Sequence, residues 1–123
     1  MVGRSLLFDT NILIDYLCGV AQARAELERA RDRAISIVTW MEVMAGTTPA
    51  DEEQTRGFLL AFQILPVTQE VAEQAVLARR QRKIKLPDAI ILATAKVAGR
   101  ILVTRNFRDF PASDPVVRIP YKL

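Results

Sequence analysis

Four acidic residues stand where a strand or helix pattern begins or ends: Asp9, Glu42, Asp88 and Asp109. Asp9 closes the apolar run Leu6-Leu7-Phe8, which reads as a short buried strand. Asp109 follows the strand Ile101-Leu102-Val103-Thr104 through a turn-rich loop ending at Pro111. Glu42 lies just beyond the strand Ala34-Ile35-Ser36-Ile37-Val38, and Asp88 opens the helical stretch Leu86-Pro87-Asp88-Ala89-Ile90. In a parallel α/β sheet such places share one edge, and the crevice outside the carboxyl ends of the strands is where ligands bind. Four carboxylates on one edge repel unless a cation sits among them. Hard oxygen donors without nitrogen or sulfur point to Mg2+ or Mn2+.

Taken singly, each acid has an ordinary explanation. Asp9 can cap the helix that follows it. Thr39-x-x-Glu42 reads as a capping box, with its helix beginning at Thr39 and closing at Gly46. Asp88 follows a proline at a helix start, where negative charge suits the dipole. Asp109 can be a turn residue. The joint placement carries the metal reading.

Strands alternating with helices predict an α/β fold with a central parallel sheet of four to five strands and helices on both faces. Helical patterns are expected over 12–18, 21–32, 39–46, 51–62, 68–83 and 86–98, and strands over 5–8, 34–38, 64–67, 101–104 and 115–119. Pro66 places the third strand at a sheet edge. The helix beginning at Leu86 is apolar almost all round and must be buried. No repeat, low-complexity segment or linker is visible, and 123 residues suit one domain.

Composition removes several chemistries. The chain has no histidine and one cysteine. A Ser-His or Cys-His pair, a histidine-bearing zinc site and an internal disulfide are therefore excluded. A single cysteine fits a reducing compartment, and Cys18 reads as a small buried hydrophobe. The start, Met1-Val2-Gly3-Arg4, shows no leader, and no apolar run is long enough to span a bilayer. A soluble, cytoplasmic protein is expected. Seventeen Lys and Arg face fourteen Asp and Glu; setting four acids aside leaves ten, and a remainder of +7. That surface suits a polyanionic partner.

Four blocks together resemble a known family: Leu7-Phe8-Asp9-Thr10-Asn11, then Thr39-Trp40-Met41-Glu42 with Gly46, then Leu86 through Ala95, then Val103-Thr104-Arg105-Asn106-Phe107-Arg108-Asp109-Phe110. The chain resembles the PIN-domain ribonucleases of the VapC toxin type over nearly its whole length. That resemblance implies a three-layer α/β/α fold spanning residues 1–123 as one PIN domain. It implies Asp9, Glu42, Asp88 and Asp109 as the catalytic, metal-binding acids, with polar support from Thr10, Asn11, Thr104 and Asn106. It also implies Mg2+- or Mn2+-dependent cleavage of RNA leaving a 5′ phosphate, a cognate VapB-like antitoxin and a homodimer. Which group takes the proton from the attacking water stays open.

The segment Arg79 to Lys85 holds Arg79, Arg80, Arg82, Lys83 and Lys85. It can be a solvated helix end that suits the dipole, or a phosphate-tracking patch leading to Asp88. Arg105 and Arg108 flank the acidic edge as further candidate RNA contacts. Trp40 can stack on a base, yet beside Met41 and Met44 it reads as core. Ile12, Leu13, Ile14, Tyr16 and Leu17 exceed what one buried face needs, so this helix and the next are expected to offer the antitoxin an apolar surface. A haloacid-dehalogenase-type phosphatase needs a second aspartate two residues after the first, and that position is Asn11. A flap nuclease needs a DNA-clamping insertion for which the chain has no room. A PIN-like module without catalysis is the remaining rival, and the presence of all four acids argues against it.

Overall fold

The computed structural model describes residues 5–123. The expectation for residues 1–4, a start with no leader, lies outside the described residues. Three strands each followed by a pair of helices lead to two final strands: β1 (Ser5–Phe8), α1 (Thr10–Leu17), α2 (Ala21–Arg29), β2 (Asp32–Ser36), α3 (Ile37–Ala45), α4 (Glu52–Leu59), β3 (Gln63–Leu65), α5 (Gln69–Arg82), α6 (Leu86–Ala98), β4 (Ile101–Val103) and β5 (Val117–Arg118). All pairings are parallel, in the order β3-β2-β1-β4-β5. The chain starts in the middle of its sheet, builds outward to β3, then crosses back to β4 on the other side of β1. The strand order therefore reverses between β1 and β4, where an open sheet leaves a crevice at its carboxyl edge.

Adjacent side chains of β1 point to opposite faces. Leu7 joins Ala34, Leu102, Val71, Ala75, Ile91 and Leu92 beneath α5 and α6. Leu6 and Phe8 join Ile35, Val103, Ile12, Leu13, Leu27, Val43 and Leu59 beneath α1 to α4. The sheet is thus covered on both faces, as its continuous apolar strands require. The start of the buried α6 holds Asp88 to one side of this frame, and its end is set by Gly99, which takes φ 67°. Among the described residues no helix is long and apolar enough to cross a membrane.

Several expectations need correction. The second strand ends at Ser36, and Ile37 and Val38 begin α3. Their β-branched side chains read as strand, but the buried Ser36 hydroxyl accepts from Val38 N at 3.0 Å and starts the helix there. Thr39 is consequently inside α3 and does not cap it, so the capping-box explanation of Glu42 fails. The second helix stops at Arg29, and its buried apolar residues are Ala23 and Leu27. Cys18 is exposed, not buried. Trp40 is half-buried beside the core under α1 to α4, with the Arg56 guanidinium 5.5 Å from its ring centroid. The placement of β3 at a sheet edge agrees with Pro66 following it.

Candidate active site

Asp9 sits at the point where the strand order reverses. Its backbone amide bonds Val103 O at 2.9 Å, continuing the β1–β4 ladder by one residue. Its extended backbone, φ −72° and ψ 157°, then turns into α1. Oδ1 accepts from Thr10 N at 2.7 Å, and Oδ2 accepts from the Thr104 hydroxyl at 2.7 Å and Asn11 Nδ2 at 3.3 Å. Asp9 is therefore both a cap and a fixed carboxylate, only 4% exposed. Burial raises its pKa to about 6, against the bonds from Thr104 and Thr10 and with the help of the charges on Asp88 and Glu42.

Glu42 reaches the same edge from the second turn of α3. Its Oε1 accepts from the Thr10 hydroxyl at 2.6 Å, and that hydroxyl lies 3.1 Å from the hydroxyl of the fully buried Thr39. Asp88 stands half-buried in the first turn of α6. Burial raises its pKa, the charges of Asp109 and Glu42 raise it further, and Lys85 opposes them. Asp109 is positioned by Asn106: Asn106 Nδ2 donates to Asp109 Oδ2 at 3.0 Å, and Asp109 N donates back to Asn106 Oδ1 at 3.2 Å. The loop is anchored below by Phe110, which is fully buried.

Thr104 ties these pieces together. Its hydroxyl donates to Asp9 and accepts from Asn11 Nδ2 at 3.3 Å and Asn106 N at 3.0 Å. Asn11 Oδ1 in turn accepts from Arg105 N at 3.2 Å. The four polar residues Thr10, Asn11, Thr104 and Asn106 thus each touch an acid of the set. The end of β1, the second turn of α3 and the start of α6 bring Asp9, Glu42 and Asp88 within electrostatic reach of one another, and Asp109 from the loop after β4 within reach of Asp88.

The basic candidates divide. Arg105 grips the buried Asp15 with both prongs, Nε at 2.7 Å and Nη2 at 2.9 Å, and Tyr121 OH donates to the same carboxylate at 2.8 Å. Arg82 pairs with Asp114. Both arginines are thus committed to acids of the fold. Arg79, Arg80, Lys83 and Lys85 are exposed around the end of α5, and Arg108 is exposed on the loop after β4. The sequence reading missed Asp15 and Thr39. The signal for Asp15 was a lone carboxylate inside the apolar stretch Ile12–Leu17; for Thr39 there was none beyond its neighbourhood to Glu42.

The PIN domain family matches over residues 6–112. The chain belongs to this family. A ribonuclease of Mycobacterium tuberculosis, VapC10, is 36% identical over 114 residues, with 86% of each chain covered. A chain of a toxin–antitoxin complex from Klebsiella pneumoniae superposes with a TM-score of 0.92 at 48% identity, covering 97% of this chain and 100% of that one. FitAcB from Neisseria gonorrhoeae gives a TM-score of 0.81 at 26% identity, covering 96% and 99%. The chain is of the VapC type within the PIN family, and its α/β fold is the family's.

The donor set at this edge is made of carboxylate oxygens, the chemistry a hard divalent cation takes. It is not a closed cage: among the described residues no three acidic, histidine or cysteine side chains stand together as a group that would hold a metal ion. Glu42 is exposed, with its carboxylate held at its tip by the Thr10 hydroxyl.

Proposed function

We propose that this PIN domain, residues 1–123, is a Mg2+- or Mn2+-dependent endoribonuclease and the toxin half of a toxin–antitoxin pair. One observation carries the reading: at the edge where the strand order reverses, the charges of Asp88 and Glu42 act on Asp9, and those of Asp109 and Glu42 act on Asp88. Asp9, Asp88, Asp109 and Glu42 would hold the cation. When bound, it supplies a lowered pKa for water and charge neutralisation at a phosphate.

The chain's own residues have separable tasks. Thr10 N, Thr104 and Asn11 fix the Asp9 carboxylate in one orientation. Asn106 fixes Asp109. With no histidine in the chain, a carboxylate is the group available to take a proton from the attacking water. In-line attack that expels the 3′ oxygen leaves a 5′ phosphate. The basic end of α5 and Arg108 supply charge for the RNA backbone.

A VapB-like antitoxin, a homodimeric assembly and a cytoplasmic location complete the proposal. A groove of about 760 Å3 runs beside Glu42, lined by Ile14, Tyr16 and Leu17 of α1, Val43 of α3 and Phe58 of α4. Ile14 and Leu17 are 45% and 46% exposed. We place the antitoxin segment there. The second helix, α2, expected to share that surface, instead turns Ala23 and Leu27 into the core. Hydrogen exchange should show new protection in α1, α3 and α4 when the antitoxin binds; unchanged exchange there would remove this seat.

The central test incubates purified protein with RNA, with and without Mn2+. Wild type should cleave only with the metal, and Asp88→Asn should not. Expression without a partner should arrest growth, and Asp9→Asn should relieve the arrest. Full expression of soluble wild type with normal growth, and intact RNA in the presence of Mn2+, would overturn the proposal in favour of a non-catalytic module.

A further inference from the structure

Beside the acids lies a hollow of about 320 Å3 lined by Asn11, Arg105, Asn106, Phe107 and Arg108. Its polar walls are already tied to the site, since Asn11 bonds Asp9 and Asn106 bonds Asp109. Phe107 is the apolar wall and is 49% exposed. A single exposed phenylalanine needs no explanation in general; this one differs in its support. The amides of residues 105, 106, 107, 109 and 110 are all hydrogen-bonded, to Asn11 Oδ1, Thr104 Oγ1, Arg105 O, Asn106 Oδ1 and Asn106 O. The ring therefore stands on a stapled loop and loses little conformational freedom when something stacks on it.

Charge selects the partner. The Lys122 ammonium lies 4.6 Å from the Phe107 ring centroid, a cation–π contact within the chain that places a cation at the ring. Arg108 is exposed on the same rim. An aromatic face with cations beside it and amides below suits a base whose phosphate lies at the rim. A peptide strand without acidic side chains would leave those cations without partners. We propose that this hollow is a nucleobase subsite: Phe107 stacks on a base next to the cleaved phosphodiester, and Lys122 and Arg108 hold the adjoining phosphate. This rests on the ribonuclease reading for the word cleaved, and not for the binding.

The test uses the full chain and single-stranded RNAs that carry one 2-aminopurine, moved position by position. In chelator, binding to wild type should quench the fluorophore at one position. Phe107→Ala should lose that quenching and bind about tenfold more weakly, while Phe107→Tyr should keep both. Lys122→Ala should weaken binding to all sequences alike and leave the quenched position unchanged. With Mn2+, Phe107→Ala should raise KM, keep kcat, and spread cleavage over more sites. Circular dichroism and melting temperature should match wild type, because the ring is half in solvent.

Wild type that binds and quenches but cuts nothing would sink the ribonuclease reading and support the subsite. Wild type that cuts, with Phe107→Ala identical in quenching, affinity and cleavage sites, would overturn the subsite alone. No quenching by wild type at any position would overturn it as well. So would a Phe107→Ala defect seen only in antitoxin binding, which would assign the hollow to a protein.

Discussion

Asp88 separates two roles that a carboxylate can play at a helix start. Asparagine suits the beginning of a helix about as well as aspartate, so Asp88→Asn should cost little if the residue only serves α6. The charges of Asp109 and Glu42 hold Asp88 away from ionisation after burial has done so. Neutralising it removes repulsion, and the metal-free variant should melt at the wild-type temperature or higher. A ligand that binds only the folded state stabilises by about 2.7 kcal/mol at a hundredfold excess over Kd. Wild type should show a Mn2+-dependent rise in melting temperature and Asp88→Asn should lose most of it. A variant that melts lower without metal and keeps the full shift would reduce Asp88 to a helix-start residue. Asp9 and Asp88 stand out as candidates in the sequence because one follows an apolar run and the other opens one. The hydroxyl of Thr104, which joins β1 to β4 through Asp9, was legible only through the family resemblance, since its partners lie far away in the chain.

At the scale of elements, β-branched residues misled at Ile37-Val38 because the cap that starts α3 is a serine buried in the sheet. Charge pairs were less legible still, because a pair across the fold has no local pattern. Arg105 looked like an RNA contact, yet it joins the loop after β4 to α1 through Asp15, with the Arg105 side chain 33% and the Asp15 side chain 8% exposed. Removing one partner of a buried pair leaves an uncompensated charge. Arg105→Ala should destabilise by roughly 3 kcal/mol, read as a fall in the urea midpoint. Asp15→Leu added to it should recover part of the loss, because the buried charge is gone, while the Tyr121 hydroxyl loses its acceptor. Equal stability of Arg105→Ala and wild type would return the arginine to the surface. Asp114 gives the pH counterpart. Burial alone would raise its pKa, but the Val116 amide, Arg82 and Lys96 bring it below its ordinary value of 3.8. The native state then binds fewer protons than the unfolded chain in acid, so the pair stabilises at neutral pH and is lost as pH falls through the depressed value. Asp114→Asn should be less stable than wild type at pH 7, with the gap closing below the ordinary carboxylate range. A gap that stays constant into acid would show that the charge contributes nothing.

For the whole molecule, charge is what the sequence described in sum and the structure distributes. The net charge is +3, but position decides which cations can act. Arg82 and Arg105 are spent on acids of the fold, while Arg79, Arg80, Lys83 and Lys85 surround the exposed end of α5, and the charge of Lys85 acts on Asp88. Each phosphate that the protein neutralises on a single strand steepens the fall of log affinity with log salt by about 0.7. Alanine at Arg80 and Lys83 together should therefore weaken RNA binding at low salt and flatten the slope by about 1.4 if both touch phosphate. The loss should be the same for every RNA sequence, because phosphate contacts carry position and not sequence. It should also vanish at high salt, where the counterions that binding releases are abundant. Cleavage sites should stay where they are, in contrast to the shift expected at Phe107. A slope that is unchanged, with affinity unchanged at low salt, would make the α5 end a solvated helix terminus. A changed cleavage pattern would instead place it against the bases.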